Sequence, residues 1–126
     1  MLKADHTCIA VSDLKSSEEF YARALRYVTV EKRRINEKVS MVFMRSECGG
    51  YKLQLIAGRG APAPEYGHTA VTSNDFDADL AKHQSLGVTC SGLIFCCGQR
   101  SYFIRDPDGY ETEVVECAVD QKAKGE

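Results

Sequence analysis

The two halves of the sequence repeat one pattern of residues. The residues that recur at an offset of 62 are His6-Thr7 and Asp13-Leu14 in the first half, and His68-Thr69 and Asp75-Phe76 in the second. Gly50-Tyr51, ahead of an apolar segment, recurs 59 positions later as Gly109-Tyr110. Self-similarity at a fixed period marks a structural unit that occurs more than once. The repeat therefore predicts one module built twice.

A proline-rich segment separates the two predicted modules. Residues 58–65 hold two of the three prolines of the chain, and proline continues neither a helix nor a central strand. We expect module one at about 1–58, a linker at 58–65, module two at about 66–117 and a frayed polar tail at 118–126. A chain of 126 residues suffices for one domain in which the two modules share a core.

Each half predicts the element order βαβββ, so the expected fold class is α+β. Alternation over residues 5–11 favours a strand, and Ser12 or Asp13 can cap the helix that follows. In the second half Asn74 or Asp75 can cap a helix that ends near Gly87. Further strands are predicted at 27–33, 39–44, 51–56, 88–90, 101–105 and 110–117. The segment 106–109 has the residue types of a tight turn.

Four polar residues occupy matching strand positions in the two modules. His6 is equivalent to His68, and Gln54 is equivalent to Glu113. Strand alternation places all four on the side of the sheet that carries no helix, where the small residues Cys8 and Ala70 would leave room for a ligand. Two imidazoles, a carboxylate and an amide oxygen suit a divalent cation such as Zn²⁺, Ni²⁺, Mn²⁺ or Fe²⁺. The third histidine, His83, is predicted to be at the surface or partly buried.

Charge and apolar content exclude several classes of partner. A net charge of −2 provides no positive field for nucleic acid or for an anionic membrane surface. The chain has no apolar run near the roughly 18 residues that span a bilayer, and its start lacks the apolar core of a secretory signal. We therefore predict a cytoplasmic protein, in which the six cysteines are free thiols.

Several strings of the sequence together resemble a known family. They are His6-Thr7 with Val11-Ser12-Asp13-Leu14 and Phe20-Tyr21, Tyr66-Gly67-His68-Thr69-Ala70 with Asp75, and Asp106-Pro107-Asp108-Gly109-Tyr110 with Glu113. This set is similar to the glyoxalase and bleomycin-resistance (vicinal oxygen chelate) superfamily, and most similar to its lactoylglutathione lyase (glyoxalase I) branch. The resemblance implies two βαβββ modules in a cup-shaped mixed sheet, metal ligands at the four positions above, a small-molecule substrate and a homodimer.

The chain departs from that branch at three positions. Many glyoxalases of the branch have glutamate at the second ligand position, where this chain has the neutral and weaker ligand Gln54. Lactoylglutathione lyases usually carry an arginine and an asparagine that help to hold glutathione, and here the equivalent positions are Ala10 and Gly58. These departures count against a glutathione-linked substrate but leave the metal chemistry intact.

The predicted function is that of a metal-dependent lyase or isomerase of the glyoxalase type. A substrate with vicinal oxygens would chelate the metal, and Glu113 would abstract the proton between them as general base. A module that binds or sequesters a drug or metabolite without turnover is an alternative. An enzyme similar to methylmalonyl-CoA epimerase is another, and so is an extradiol-type dioxygenase, because His6, His68 and Glu113 also make a two-histidine, one-carboxylate set for iron.

Overall fold

The computed structural model describes residues 1–65 and 67–117. Tyr66 of the predicted tyrosine-glycine-histidine motif and the predicted tail 118–126 lie outside the described residues. The chain divides into two compact units, one covering residues 1–63 and the other beginning at Pro64. Each unit has its own four-stranded sheet and its own helix.

The first unit has the order βαβββ. Its elements are β1 (His6–Ala10), α1 (Leu14–Leu25), β2 (Val28–Arg34), β3 (Ser40–Arg45) and β4 (Lys52–Ala57). The strand order is β1-β4-β3-β2, in which β1 runs parallel to β4 and the other pairs are antiparallel. The edge strand β2 carries an irregularity in its register between Thr29 and Glu31.

The second unit repeats this order and topology. Its elements are β5 (Thr69–Ser73), α2 (Phe76–Leu86), β6 (Ile94–Cys96), β7 (Gln99–Arg105) and β8 (Glu111–Glu116). The strand order is β5-β8-β7-β6, again with a parallel first pair. The α+β class and the two βαβββ modules predicted from the repeat are confirmed. In the described part of the chain, no helix is both long and apolar enough to cross a membrane.

The core of the first unit lies between α1 and its sheet. Asp13 caps the helix as predicted, because its carboxylate accepts the backbone N–H groups of Lys15 and Ser16. Tyr21 on the helix and Leu55 on β4 are buried in one apolar cluster. The remaining buried members of this cluster are Val11, Val42, Met44 and Leu53. One face of the sheet is therefore covered by the helix.

The core of the second unit is built around Tyr102, which is fully buried on β7. Its ring contacts Phe76 of α2 at a centroid separation of 5.3 Å. His83 is also buried, with only 3% of its surface exposed, so the prediction of a surface or partly buried histidine was wrong. Its Nδ1 lies 2.7 Å from the Tyr102 hydroxyl, and this hydrogen bond allows a polar ring to sit in the core.

The strand predicted at 88–90 is not formed. The Val88 N–H donates to the His83 carbonyl at the end of α2, and Thr89 makes only an isolated bridge with Ile104. The Ser91 hydroxyl then accepts the Phe103 N–H, so a side chain takes the place of a carbonyl in the ladder. Regular pairing with β7 begins again only at β6, four residues beyond the predicted strand.

Candidate functional site

The four predicted site residues lie on the faces of the sheets that the helices leave uncovered. Leu53 and Leu55 of β4 and Thr112 and Val114 of β8 are buried, and the residues between them point the other way. In the first sheet Gln54 pairs with Cys8 across β1 and β4. In the second sheet Glu113 pairs with Ala70 across β5 and β8. The predicted equivalence of the two positions is thus seen in the strand register.

In the first unit, His6 and Gln54 share this face with two residues of β3. The His6 ring meets the Phe43 ring edge-on, at a centroid separation of 5.4 Å and an angle of 89°. Phe43 is also the β3 partner of Gln54. The Gln54 Nε2 donates to the Met41 Sδ at 3.1 Å. Because the amide nitrogen makes this bond, the amide oxygen is the Gln54 atom suited to bind a cation.

Asp5 orients the His6 ring from the start of β1. Its Oδ2 lies 2.7 Å from the His6 Nδ1, and its Oδ1 lies 3.3 Å from the Lys52 Nζ. These contacts, led by the hydrogen bond to His6, hold the pKa of Asp5 below its ordinary value. A carboxylate on one ring nitrogen is the usual support for a histidine that binds metal through the other. The His6 Nε2 is therefore the nitrogen placed to bind a ligand.

In the second unit, His68 and Glu113 contact each other directly. The His68 Nε2 lies 3.2 Å from the Glu113 Oε1. The His68 ring also meets the Phe103 ring edge-on, at 5.0 Å and 85°, and Phe103 is the β7 partner of Glu113. Each unit therefore presents a histidine, an oxygen donor one strand away and a phenyl ring on the strand after that. We call these two groups half-site one and half-site two.

Three arginines, Arg59, Arg100 and Arg105, are candidates for holding an anionic substrate, and two of them are engaged elsewhere. Arg100 pairs with Asp77 and Glu116, and its guanidinium lies 4.6 Å from the centre of the Phe76 ring. Arg105 pairs with Glu111. Arg59 differs, because its charge acts on the thiol of Cys8 in half-site one, where it partly offsets the rise in the pKa of that thiol caused by burial.

The sequence matches a known protein family over most of its length. The model of the Glyoxalase/Bleomycin resistance protein/Dioxygenase superfamily matches residues 3–114. The chain belongs to this superfamily. The resemblance inferred from the sequence motifs is thereby confirmed. No functionally curated protein is similar enough to the chain to count as a relative.

Solved structures of both enzymes and a binding protein share the fold. Trypanothione-dependent glyoxalase I from Leishmania major is 25% identical with a TM-score of 0.79, covering 99% of this chain and 94% of its own. Lactoylglutathione lyase from Agrobacterium tumefaciens is 23% identical with a TM-score of 0.72, covering 93% and 95%. The antibiotic binding protein TnmS3 from a Streptomyces species is 19% identical with a TM-score of 0.79, covering 92% and 96%. Both enzymes and a binding protein thus have this architecture.

The structure gives a physical reason why this member of the glyoxalase superfamily has no asparagine at position 58. Gly58 has φ +91°, and a Cβ on it would lie 1.7 Å from the carbonyl oxygen of Lys38. No side chain fits at that separation. Ala10, the other position expected to anchor glutathione, is half-buried on the same side of β1 as His6. Neither residue supplies a polar group for glutathione.

The donor chemistry of the half-sites fits a divalent cation of the kind that glyoxalase-superfamily members commonly bind. Half-site one offers an imidazole nitrogen oriented by Asp5 and an amide oxygen, and half-site two offers an imidazole and a carboxylate. Within residues 1–65 and 67–117, no group of three or more His, Cys, Asp or Glu side chains is close enough to hold a metal ion. The structure thus brings the donors together as pairs.

Three residues of the half-sites were missed by sequence reasoning. Phe43 and Phe103 flank the donors at equivalent places, and the repeat contains a signal for them, because each lies on the strand before the one that carries Gln54 or Glu113. Asp5 was missed because its role depends on a contact with the ring of the next residue along the chain. The repeat gives no signal for Asp5, because the equivalent residue, the one before His68, is Gly67.

Proposed function

We propose that this protein is a metal-dependent lyase or isomerase of the glyoxalase type. The observation that carries the proposal is the contact between His68 and Glu113 beside Phe103, matched by His6 and Gln54 beside Phe43. A strand face that only contacts solvent would not require the same combination of histidine, oxygen donor and phenyl ring in both halves of a repeat. Membership of the superfamily supports the same conclusion.

The proposed metal ligands are His6, Gln54, His68 and Glu113. The donor set matches Zn²⁺, Ni²⁺, Mn²⁺ or Fe²⁺, and it requires both half-sites to contribute to one ion. Asp5 would hold the His6 ring so that Nε2 faces the cation. Gln54 contributes no charge, so Glu113 would supply the one carboxylate that binds the metal.

Glu113 is the proposed catalytic base. A bound divalent cation would polarise two vicinal oxygens of a substrate and make the proton on the carbon between them more acidic. Glu113 is the only acidic member of the four, and its carboxylate can accept that proton and return it to the neighbouring carbon. Gln54 cannot do this, because a neutral amide has no proton-accepting state near neutral pH. Phe43 and Phe103 would limit access of water to the donors.

The proposed substrate is a small molecule with vicinal oxygens that is not held through glutathione. Gly58 leaves no space for the expected asparagine, and Ala10 cannot replace an arginine. A different thiol or acyl carrier would therefore present the reacting group. We further propose that the protein acts in the cytoplasm as a homodimer, as the resemblance to the family implies.

The decisive experiment replaces Glu113 by glutamine in protein purified without chelators. Metal content is measured by elemental analysis, and turnover is measured with methylglyoxal adducts of several thiols. Glu113→Gln should keep the metal but lose turnover by a factor on the order of a hundred or more, as expected for removal of a general base. Glu111→Gln is the matched control, because Glu111 lies on the same strand but pairs with Arg105, and it should retain turnover. An unchanged kcat in Glu113→Gln would refute the base assignment.

Binding without turnover is the second candidate function. It is favoured by the neutral Gln54 and by the structural likeness to an antibiotic binding protein. On this hypothesis the wild-type protein binds a small molecule tightly and releases no product with any adduct tested. Glu113→Gln would then leave ligand affinity nearly unchanged, which is the opposite of its effect on an enzyme.

A further inference from the structure

A tight hairpin in the second unit carries two adjacent cysteines. Cys96 ends β6 and pairs with Gln99 at the start of β7, so the turn between the strands consists of Cys97 and Gly98 alone. Both turn residues have positive φ, 59° and 78°, which is the conformation of the type I′ turn that matches the twist of a hairpin. Asparagine, aspartate or glycine usually occupies the first of these positions, but here it is a cysteine.

The two thiols converge at this turn. The Sγ atoms of Cys96 and Cys97 lie 3.2 Å apart, and both residues are exposed. Among the described residues no other two cysteine sulfur atoms are in contact; the remaining cysteines are Cys8, Cys48, Cys90 and Cys117. The pair therefore differs from the other four thiols, and the charge of Glu113 in half-site two also acts on Cys96.

Two converging thiols form a chelating group for a soft cation. Two sulfur ligands at about 2.3 Å from a tetrahedral ion lie about 3.8 Å apart, and rotation about the Cα–Cβ bonds suffices to reach this separation from the observed one. Thiolates select soft metals over the hard cations that prefer oxygen ligands. Since the thiols are exposed, a cation can reach them without any movement of the core.

We propose that Cys96 and Cys97 form a second metal site, a two-thiol site for a soft divalent cation such as Zn²⁺ or Cd²⁺. Binding forms two metal–sulfur bonds and releases the two thiol protons to solvent, with no change of oxidation state. Water or a small external thiol completes the coordination, because no third His, Cys, Asp or Glu joins the pair within the described ranges. Such an open site exchanges its cation with solution.

The test is a titration of the reduced, oxygen-free, full-length protein with Cd²⁺, followed by the ultraviolet absorption that arises when thiolate binds cadmium. The wild-type protein should show this absorption and saturate at one sulfur-bound Cd²⁺ per chain. Cys96→Ser and Cys97→Ser should each weaken binding by on the order of a hundredfold, since loss of one arm removes the chelate advantage. Cys97→Gly should weaken Cd²⁺ binding by the same factor, and glycine adopts the positive φ of this turn position without strain.

Matched controls separate the pair from isolated thiols. Cys48→Ser and Cys90→Ser remove other exposed cysteines and should leave the absorption and the affinity unchanged. The proposal is overturned if the absorption survives in both Cys96→Ser and Cys97→Ser, or if Cys90→Ser lowers it as much as they do.

The cadmium–thiolate signal distinguishes the turn site from the proposed enzymatic site. Cd²⁺ bound by His6, Gln54, His68 and Glu113 has no sulfur ligand, so it contributes no thiolate absorption. His68→Ala should therefore leave the cadmium–thiolate signal intact. Cys8→Ser should leave it intact as well, although Cys8 lies beside Gln54 in half-site one, and loss of the signal in Cys8→Ser would place the soft cation in half-site one and refute the turn site.

Discussion

Gly58 shows how a single backbone position can exclude a side chain where the resembling lactoylglutathione lyases usually carry an asparagine. Its φ of +91° lies in the region that favours glycine, and the Lys38 carbonyl fills the space of a Cβ. A chain with a larger side chain at this point requires a different backbone path after β4 or before β3. The absence of a side chain at position 58 is thus built into the backbone of the first unit.

We predict that Gly58→Asn does not create a glutathione site and instead lowers the free energy of unfolding. The expected loss is about 2 to 4 kcal/mol, from the left-handed backbone together with displacement of the Lys38 carbonyl. Gly60→Ala is the control, because Gly60 also has positive φ, +75°, but open space around it, so its loss should be smaller. Urea unfolding measures both variants. A Gly58→Asn protein of wild-type stability that binds glutathione would contradict this account.

The sequence predicted the sheet face of the four candidate residues better than it predicted their surroundings. Strand alternation and the repeat sufficed to place His6, Gln54, His68 and Glu113 on the face without a helix, because a period of two decides which face a side chain takes. Phe43 and Phe103 depend on pairing between strands, which alternation alone does not specify. The convergence of the Cys96 and Cys97 thiols depends on the length of the β6–β7 turn, and turn length is hard to read from composition.

At the scale of elements, the two helices begin in different ways despite their equivalence in the repeat. Asp13 accepts two backbone N–H groups at the start of α1, and these bonds, that of Ser16 first, lower the pKa of its carboxyl below the ordinary 3.8. Asp75 occupies the same position before α2 but makes no capping bond with its side chain. Its N–H instead donates to the hydroxyl of Ser73, which in turn donates to Asp79.

We predict that Asp13→Ala lowers the Tm at pH 7 and that Asp75→Ala lowers it much less. The Asp13 carboxyl has a lower pKa in the folded chain than in the unfolded one, so its contribution is present above about pH 4 and is lost as the pH falls through the folded value. The difference in Tm between wild type and Asp13→Ala should therefore shrink on acidification. Asp13→Asn keeps an acceptor and should show little pH dependence of its own. Thermal unfolding of the wild type and the three variants from pH 7 to pH 2 measures these differences. Equal losses of Tm in Asp13→Ala and Asp75→Ala would show that capping does not distinguish the helices.

The error over residues 88–90 also belongs to this scale. The segment 88–90 has the composition of a strand, and two of its backbone N–H groups form hydrogen bonds. That of Val88 donates to the His83 carbonyl, and that of Cys90 donates to the Phe103 carbonyl. The first closes a helix, and only the second belongs to a sheet. Composition cannot separate these uses of the backbone, because both occur where a chain leaves a helix and turns toward a strand.

At the scale of the whole molecule, the repeat gives each unit its own core and two of the four proposed metal ligands. Tyr21 and Leu55 anchor the first core and Tyr102 anchors the second, so neither unit needs the donors for its packing. Half-site one by itself offers an imidazole and a neutral amide, and half-site two offers an imidazole and one carboxylate. One imidazole with one oxygen donor, lacking the thiolates of the Cys96–Cys97 pair, holds a transition metal poorly compared with the four ligands that structural and catalytic sites usually provide.

A shared ion and two separate ions predict different results in a metal titration. We expect one Ni²⁺ or Mn²⁺ per chain by calorimetry, and an increase in the free energy of unfolding of about 2.7 kcal/mol at a hundred times the dissociation constant. If one ion uses both half-sites, His6→Ala and His68→Ala should each abolish most of the binding and most of the stabilisation. If each half-site binds its own ion, the wild type binds two, and each variant loses one and keeps the other. The second result would refute the shared centre and, with it, the proposed chemistry at Glu113.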